Sequence, residues 1–322
     1  MARSTRNLFI AFVALLAFAL VWKSAERRGT MSRTERFAEV DTSEVTRIEL
    51  RGRGNDVTLV RRGGRWMLAE PASYPANEAS VEDLLERAAD LQVVNLVSSN
   101  PENHDLYEVG PDTGSLVRLL GGEEGDERLL AFYVGKLTSD FSHTYVRRFG
   151  SDDVYTAGGL LQGTFDKTAS AWRDKTIFSA EPASVQRVEL TSPGLSWTLL
   201  RQDVPGALES AAWTLRMDGE AVAADSTRAA SLVRSLATLK AADFAGEGER
   251  TSGSWEAPDI RMSFTTSDGI TRAFRGILPD EEASRYRVRK DGQETVFLVY
   301  KSTIDSLKRD RDALMSREEG DR

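Results

Sequence analysis

The chain of 322 residues contains no cysteine and only two histidines, His104 and His143. Without cysteine there are no disulfides, thiolate nucleophiles, iron–sulfur clusters or cysteine-ligated zinc. Two histidines leave little room for a multi-histidine metal site, so no metal and no cofactor is expected. Positive charge is also short, with 42 Lys and Arg against 50 Asp and Glu. Residues 1–30 take five of the basic groups (Arg3, Arg6, Lys23, Arg27, Arg28) and one acid, Glu26, leaving 37 basic against 49 acidic groups for the rest. A body so charged is repelled by phosphate backbones and anionic lipid surfaces, which argues against nucleic acid as a partner. What is present is apolar material: 40% hydrophobic residues, with 13 Phe, 7 Tyr and 6 Trp. That is enough to bury real cores, and the length allows roughly two domains.

One apolar run stands out. Leu8, Phe9, Ile10, Phe12, Val13, Leu15, Leu16, Phe18, Leu20, Val21 and Trp22, with alanines between them, form 15 residues free of charge and glycine. At about 1.5 Å per residue a helix here covers roughly 22 Å, short of the ~30 Å hydrocarbon core. Lys23 can snorkel, so a slightly thinned bilayer accepts it. The competing reading is a cleaved signal peptide, although its small-x-small step, Ala17-Phe18-Ala19, lies inside the run. The expectation is an uncleaved single-pass anchor in the inner membrane, in contact with lipid. Lys23, Arg27, Arg28, Arg33 and Arg36 would hold the following domain in the cytoplasm by a simple positive-inside count. Long domains translocate largely regardless of charge, and the short basic start looks like an export signal, so the expected side is extracytoplasmic, in the periplasm.

Beyond the run, the chain says the same thing twice. Val45-Thr-Arg-Ile-Glu-Leu50 returns as Val185-Gln-Arg-Val-Glu-Leu190, and Val57-Thr-Leu-Val-Arg61 as Trp197-Thr-Leu-Leu-Arg201. Both alternate apolar and polar residues, as half-buried strands do. Trp66 and Trp213 mark a third strand in each copy and are expected in the core. A helix follows, capped by Asn77 or Asp225, with apolar stripes Val81, Leu84, Leu85, Ala88, Leu91 and Ala229, Leu232, Val233, Leu236, Leu239. Four further strands lie near 116–120, 129–134, 145–148 and 154–155, matched by 260–264, 271–274, 286–289 and 296–297. In this alignment Tyr145 corresponds to Tyr286. A helical segment closes each copy, near 160–176 and 302–315. The expected fold class is α+β, a tandem duplication of an antiparallel-sheet-plus-helix domain behind one N-terminal transmembrane helix. The boundaries are 1–24 anchor, 25–44 linker, 45–178 first repeat, 179–310 second repeat and 311–322 charged tail.

At this point a resemblance enters. Val45 through Trp66-Met-Leu68, Pro71, Ala76-Asn77 and the Val81/Leu84/Leu85 helix resemble the bacterial domain-of-unknown-function family 4340, as does Ala171-Trp-Arg-Asp-Lys175. One departure is that Leu106-Tyr-Glu-Val-Gly110 stands where the family has a Tyr-Gly-Leu step. The family has no established activity. Its members are often encoded beside ABC-type export components, including gliding-motility-like ones, so the resemblance implies an accessory role and ABC-type transporter subunits as partners.

No catalytic set assembles from the residues. Asp152-Asp153, Asp280-Glu281-Glu282 and Glu123-Glu124 sit in turns without the one-in-two spacing of a calcium loop. Gly52-Arg-Gly54 is followed by a strand, where a phosphate cradle needs a helix N-terminus. His104 reads as a loop residue, and His143 has no partner motif. Arg173-Asp174-Lys175 reads as a salt-bridged helix end. The remaining candidate is Arg285, Arg287 and Arg289, which alternate onto one strand face opposite Tyr286 and Val288. That face is either plain solvent surface or a place for an acidic partner. The expectation is a non-enzymatic scaffold or accessory of a transport complex; the alternative is an envelope module that grips a polysaccharide or peptide.

Overall fold

The structure, a computed structural model, describes residues 35–53, 56–70, 73–202, 211–246, 248 and 255–315. The run Leu8–Trp22, Pro71 and residues 316–322 lie outside them. Among the described residues no helix is long and apolar enough to cross a membrane. The chain is α+β and divides between Arg173 and Asp174 into two compact units, each built on one antiparallel sheet.

In the first unit the strands are β1 (Glu35–Arg36), β2 (Arg47–Arg51), β3 (Val57–Arg62), β4 (Arg65–Glu70) and β5 (Tyr74–Pro75). Helix α1 (Glu78–Ala89) comes next, then β6 (Gln92–Ser98), β7 (Ser115–Gly121), β8 (Glu127–Leu137), β9 (His143–Arg148) and β10 (Val154–Gly158). Two single-turn helices close the unit, α2 (Gln162–Phe165) and α3 (Ala169–Trp172). The sheet order is β1-β6-β10-β9-β8-β7-β2-β3-β4-β5. On the inner face Ile48, Leu50, Leu59, Leu68, Val117, Leu119 and Phe132 pack with Val81, Leu84, Leu85 and Ala88 of α1 in one core. The Asn77 side chain accepts from Ser80 N at 3.1 Å, satisfying one of the helix's free donors.

The second unit runs β11 (Val185–Ser192), β12 (Leu195–Arg201), β13 (Trp213–Met217), β14 (Glu220–Ala224), α4 (Ser226–Ala237) and β15 (Asp243–Phe244). Then come β16 (Ile260–Thr266), β17 (Thr271–Ile277), β18 (Arg285–Lys290), β19 (Val296–Tyr300), α5 (Lys301–Leu307) and α6 (Arg311–Leu314). Its sheet order is β14-β13-β12-β11-β16-β17-β18-β19-β15. Here Asp225 accepts from Arg228 N at 2.9 Å, and Ala229, Leu232, Val233 and Leu236 of α4 are buried. Trp66 and Trp213, as expected, are core residues.

Three expectations are corrected. The closing helices are each broken into two short pieces; in the second unit the break is a fresh start, with Asp310 accepting from Ala313 N at 2.8 Å. The alignment of Tyr145 with Tyr286 slips by one residue. Phe132 faces Arg148 across the ladder, whereas Phe274 faces Lys290, so Tyr145 holds the ladder place of Arg287. A slip of one reverses every side chain, and Tyr286 is indeed buried on the inner face. The supposed linker and tail also contribute core. Phe37 is fully buried, its N–H bonded to Leu91 O, and so is Phe178, the last residue of the expected first repeat, its N–H bonded to Leu239 O in the second unit. Leu314 is fully buried too, and its carbonyl accepts from Asp225 N, just as Trp172 O accepts from Asn77 N. Strand β6, with only two residues paired on its outer side by β1, carries the irregular burial of an edge and was not expected from its pattern.

Truncating the fully buried Leu232 to Ala is expected to cost about 2–5 kcal/mol in denaturant unfolding. Removing the Asp225 cap with Asp225→Ala costs about 1 kcal/mol. An Asp225→Ala loss as large as that of Leu232→Ala would show that the carboxylate does more than cap.

Candidate functional site

Strand β18 lies between β17 and β19, so its alternation gives one inner and one outer row. Tyr286 and Val288 are buried inside, and Arg285, Arg287 and Arg289 share the outer face, half-buried. The expected alternation therefore stands, but the face is not bare solvent surface. The Arg289 guanidinium lies 4.5 Å from the Trp255 ring centre, its side chain 22% exposed, with Glu294 at 3.7 Å. Arg285 sits over the Tyr300 ring at 5.7 Å.

Register explains how so much positive charge is tolerated. Arg261, Arg275 and Arg289 stand directly opposite one another on β16, β17 and β18. Like charges in that relation destabilise a sheet. Asp291 relieves them, one carboxylate oxygen 3.2 Å from Arg261 and the other 3.2 Å from Arg275. Arg275 also donates to Trp255 O at 3.4 Å. Beside this row, Ala245, Val296 and Leu298 form a small apolar cluster with Trp255.

Next to the row opens a cavity of about 450 Å³, lined by Pro279, Asp280, Ala283, Ser284, Arg285, Arg287 and Leu298. Two arginines, an aspartate and a serine thus line it beside Leu298. Guanidinium pairs suit carboxylates, which they can grip through two parallel bonds. The size falls at the lower end of ligand pockets. Asp280, a turn acid by its sequence, lines this cavity, a placement that spacing along the chain does not signal.

The first unit treats the same ladder positions differently. Tyr145 stands at the place of Arg287 and packs on Tyr107 at 4.7 Å between ring centres. Arg147, 6% exposed, stands at the place of Arg289. Its guanidinium lies over the Tyr133 ring at 4.4 Å and donates to Val109 O at 2.9 Å and Ser151 O at 2.8 Å. It clasps the segment between β6 and β7 onto the outer face. Gly135 lets that segment approach, since a Cβ there would meet Tyr107 O at 2.3 Å.

The other candidates find structural partners. His104 Nε2 bonds to Asp152 O at 3.1 Å, and Asp153 accepts from Ser99 Oγ at 2.5 Å, tying two turns together. Glu123 and Glu124 are exposed in the β7–β8 turn. Gly52 and Arg53 lead into a hairpin, with Gly54 outside the described residues. Arg173, Asp174 and Lys175 turn to three separate partners: the Tyr74 ring, Thr176 N and Ala242 O. Among the described residues no group of His, Cys, Asp and Glu is arranged to hold a metal ion.

His143 does have neighbours that the sequence hid. Ser142 Oγ donates to Asp140 at 2.7 Å and lies 2.7 Å from His143 Nδ1. The single hydroxyl proton goes to the carboxylate, so Nδ1–H is the donor to Ser142. The carboxylate thus grips the serine and not the imidazole, the wrong order for a nucleophilic triad. Its work is to fix the β8–β9 turn. The hydroxyls of Ser142 and Thr138, then Ser142 N–H, hold the Asp140 carboxyl well below its ordinary 3.8. A carboxyl depressed by folding adds stability above its unfolded value and loses it as pH falls toward the folded one. Wild type is therefore expected to lose unfolding midpoint more steeply than Asp140→Asn as pH is lowered through 3.8. Equal slopes would overturn that role for Asp140.

Comparison with known proteins adds the family. No curated protein and no solved structure matches the chain. A family model described as domain of unknown function (DUF4340) matches residues 66–258, from β4 of the first unit to the loop before β16 of the second. The chain belongs to the DUF4340 family.

Proposed function

We propose that this protein is a non-enzymatic, single-pass membrane protein whose two units form an extracytoplasmic, duplicated binding body, an accessory or scaffold of an ABC-type export or gliding-motility-like complex. The observation that carries the binding role is the arginine face of β18 beside its cavity, a basic place on a chain of net charge −8. Such a place favours an acidic segment of a partner and steers its encounter. The apolar run Leu8–Trp22 supports the anchor, and the resemblance set out above supports the transport context. The duplication is supported by strand order: read from β15 to β14, the second sheet repeats the connectivity of the first from β6 to β5. The helix caps support it too, each donating its N–H to a carbonyl of the closing segment.

A second reading, an envelope module for a polysaccharide or peptide, is favoured by Asp280 and Ser284 in the same cavity, which would suit a polar ligand. Affinity purification of the full chain from several detergents is expected to recover ABC-type permease or ATPase subunits. Arg287→Glu is expected to reduce that recovery at least severalfold while the unfolding midpoint stays near wild type. Recovery of the protein alone in every detergent would sink the transport reading. Peptidoglycan pull-down lost on the same substitution would install the second one. A C-terminal reporter active only in the cytoplasm would overturn the proposed side of the membrane.

A further inference from the structure

Each sheet ends in two edge strands, and an edge offers a row of unpaired N–H and C=O groups to any other strand. Three of the four ends are blunted. β1 is two charged residues, Glu35–Arg36, and the β6 edge beyond it is broken by two register shifts against β10. β5 is two residues, one of them Pro75, and β15 is two residues, Asp243–Phe244. β14 (Glu220–Ala224) has none of these devices. It is five residues long, pairs with β13 in unbroken register, lacks proline and carries charge only at its first residue. β5 and β14 hold the same place in the two strand orders, so one position is closed in the first unit and left open in the second.

The hairpin before β14 fixes which backbone groups are free. Met217 and Glu220 face each other across a two-residue loop, Asp218-Gly219, with φ +53° and +81°, and so form a hydrogen-bonded pair. Bonded and non-bonded pairs alternate along the ladder. Val222 and Ala224 therefore also turn their backbone groups to β13, whereas Ala221 and Ala223 turn theirs outward. Both alanines are exposed, and among the described residues nothing bonds to these outward groups. The free edge ends at Asp225, whose N–H is taken by Leu314 O.

The sequence of β14 supplies its own complement. Ala221-Val222-Ala223 reads the same in both directions, so a second copy turned about a two-fold axis at Val222 presents an identical edge. In that antiparallel register Ala221 faces Ala223 of the second copy, and each such pair exchanges both its N–H···O bonds. Val222, half-buried in one chain, meets Val222 of the second copy across a non-bonded pair, where side chains stand closest. The two Glu220 carboxylates lie at opposite ends of the pairing, about 14 Å apart along the strands. A parallel pairing in register would set them face to face. The chain's own tail is a weaker occupant, because four of the seven residues 316–322 are Glu, Gly or Asp, types depleted in strands. We infer that β14 is a self-association edge, at which two copies of this chain join β14 to β14 antiparallel about Val222 into one continuous sheet. The strand contributes far fewer residues than the roughly 20–30 a side of a standard interface, so the pairing is weak and needs high protein density. It needs neither the anchor nor the arginine face of β18.

The absence of native cysteine makes the register readable. In purified full-length protein in detergent at rising concentration, Val222→Cys is expected to give a disulfide-linked dimer under mild oxidation. The Cα–Cα spacing of a non-bonded pair, about 4.5 Å, suits a disulfide. Glu220→Cys, whose two copies stand too far apart, should give severalfold less. Adding Ala223→Pro to Val222→Cys removes an outward N–H but no bond to β13. It should abolish the product while the thermal midpoint stays near that of Val222→Cys alone. Equal product at 220 and 222 would mean random collision and overturn the register. Product at 222 that withstands Ala223→Pro, or no product at any concentration, overturns the pairing. Product gained only when residues 316–322 are removed assigns the edge to the tail and overturns it too.

Discussion

A 12-residue helix is about 18 Å long and about 10 Å across. Each unit nevertheless has nine or ten strands whose inner rows need cover. This mismatch between one helix and one wide sheet governs much of what surrounds it. The remaining inner face is closed by a leading aromatic, Phe37 or Phe178, and by the short closing helices with Leu161, Phe165 and Trp172 in one unit and Ile304, Leu307 and Leu314 in the other. Phe37 meets Phe132 edge-on at 5.7 Å, and Phe178 meets Phe264 likewise at 5.2 Å. The backbone bonds from Asn77 to Trp172 and from Asp225 to Leu314 tie those closing segments to the start of the covering helix.

The outer faces of the two sheets carry different chemistries. In both units a segment lies across the outer face and meets an arginine, Arg147 in the first and Arg289 in the second. Around Arg147 the neighbours are Tyr133, Tyr145 and Tyr107, which close the face into a small apolar cluster. Around Arg289 the corresponding ladder places hold Arg275 and Arg287, and the face stays charged and opens onto the cavity. The family's Trp172-Arg173 stretch belongs to the framework. Trp172 is fully buried and its carbonyl bonds to the residue that caps α1.

Much of this was legible in the residues. Ile48 and Leu50 against Val188 and Leu190, the paired tryptophans and both helix caps follow from alternation and capping chemistry, which are local. The single-residue slip at Tyr145 was not legible, because Tyr-x-x-Arg looks the same whichever way the strand faces, and only the partner strand decides. Phe37 and Leu314 are not legible as core, because an isolated apolar residue among polar ones carries no period. At the candidate site, the shared arginine face could be read from spacing. The cavity could not, since Asp280 and Ser284 reach Arg285 and Arg287 only through the way the loop before β18 folds back.

Arg147 also separates two kinds of attachment within the first unit. The Asp140 turn is fastened through a carboxylate, a group that titrates. The segment between β6 and β7 is held by the buried Arg147 guanidinium, which meets carbonyl oxygens and a ring face, and by exposed contacts that include the Arg53–Glu108 ion pair and the Ser99–Asp153 bond. Shielded from solvent, the Arg147 clasp is little weakened by dissolved ions. The buried clasp is thus the part of this outer covering that dissolved salt weakens least, whereas its exposed ion pair stays open to screening.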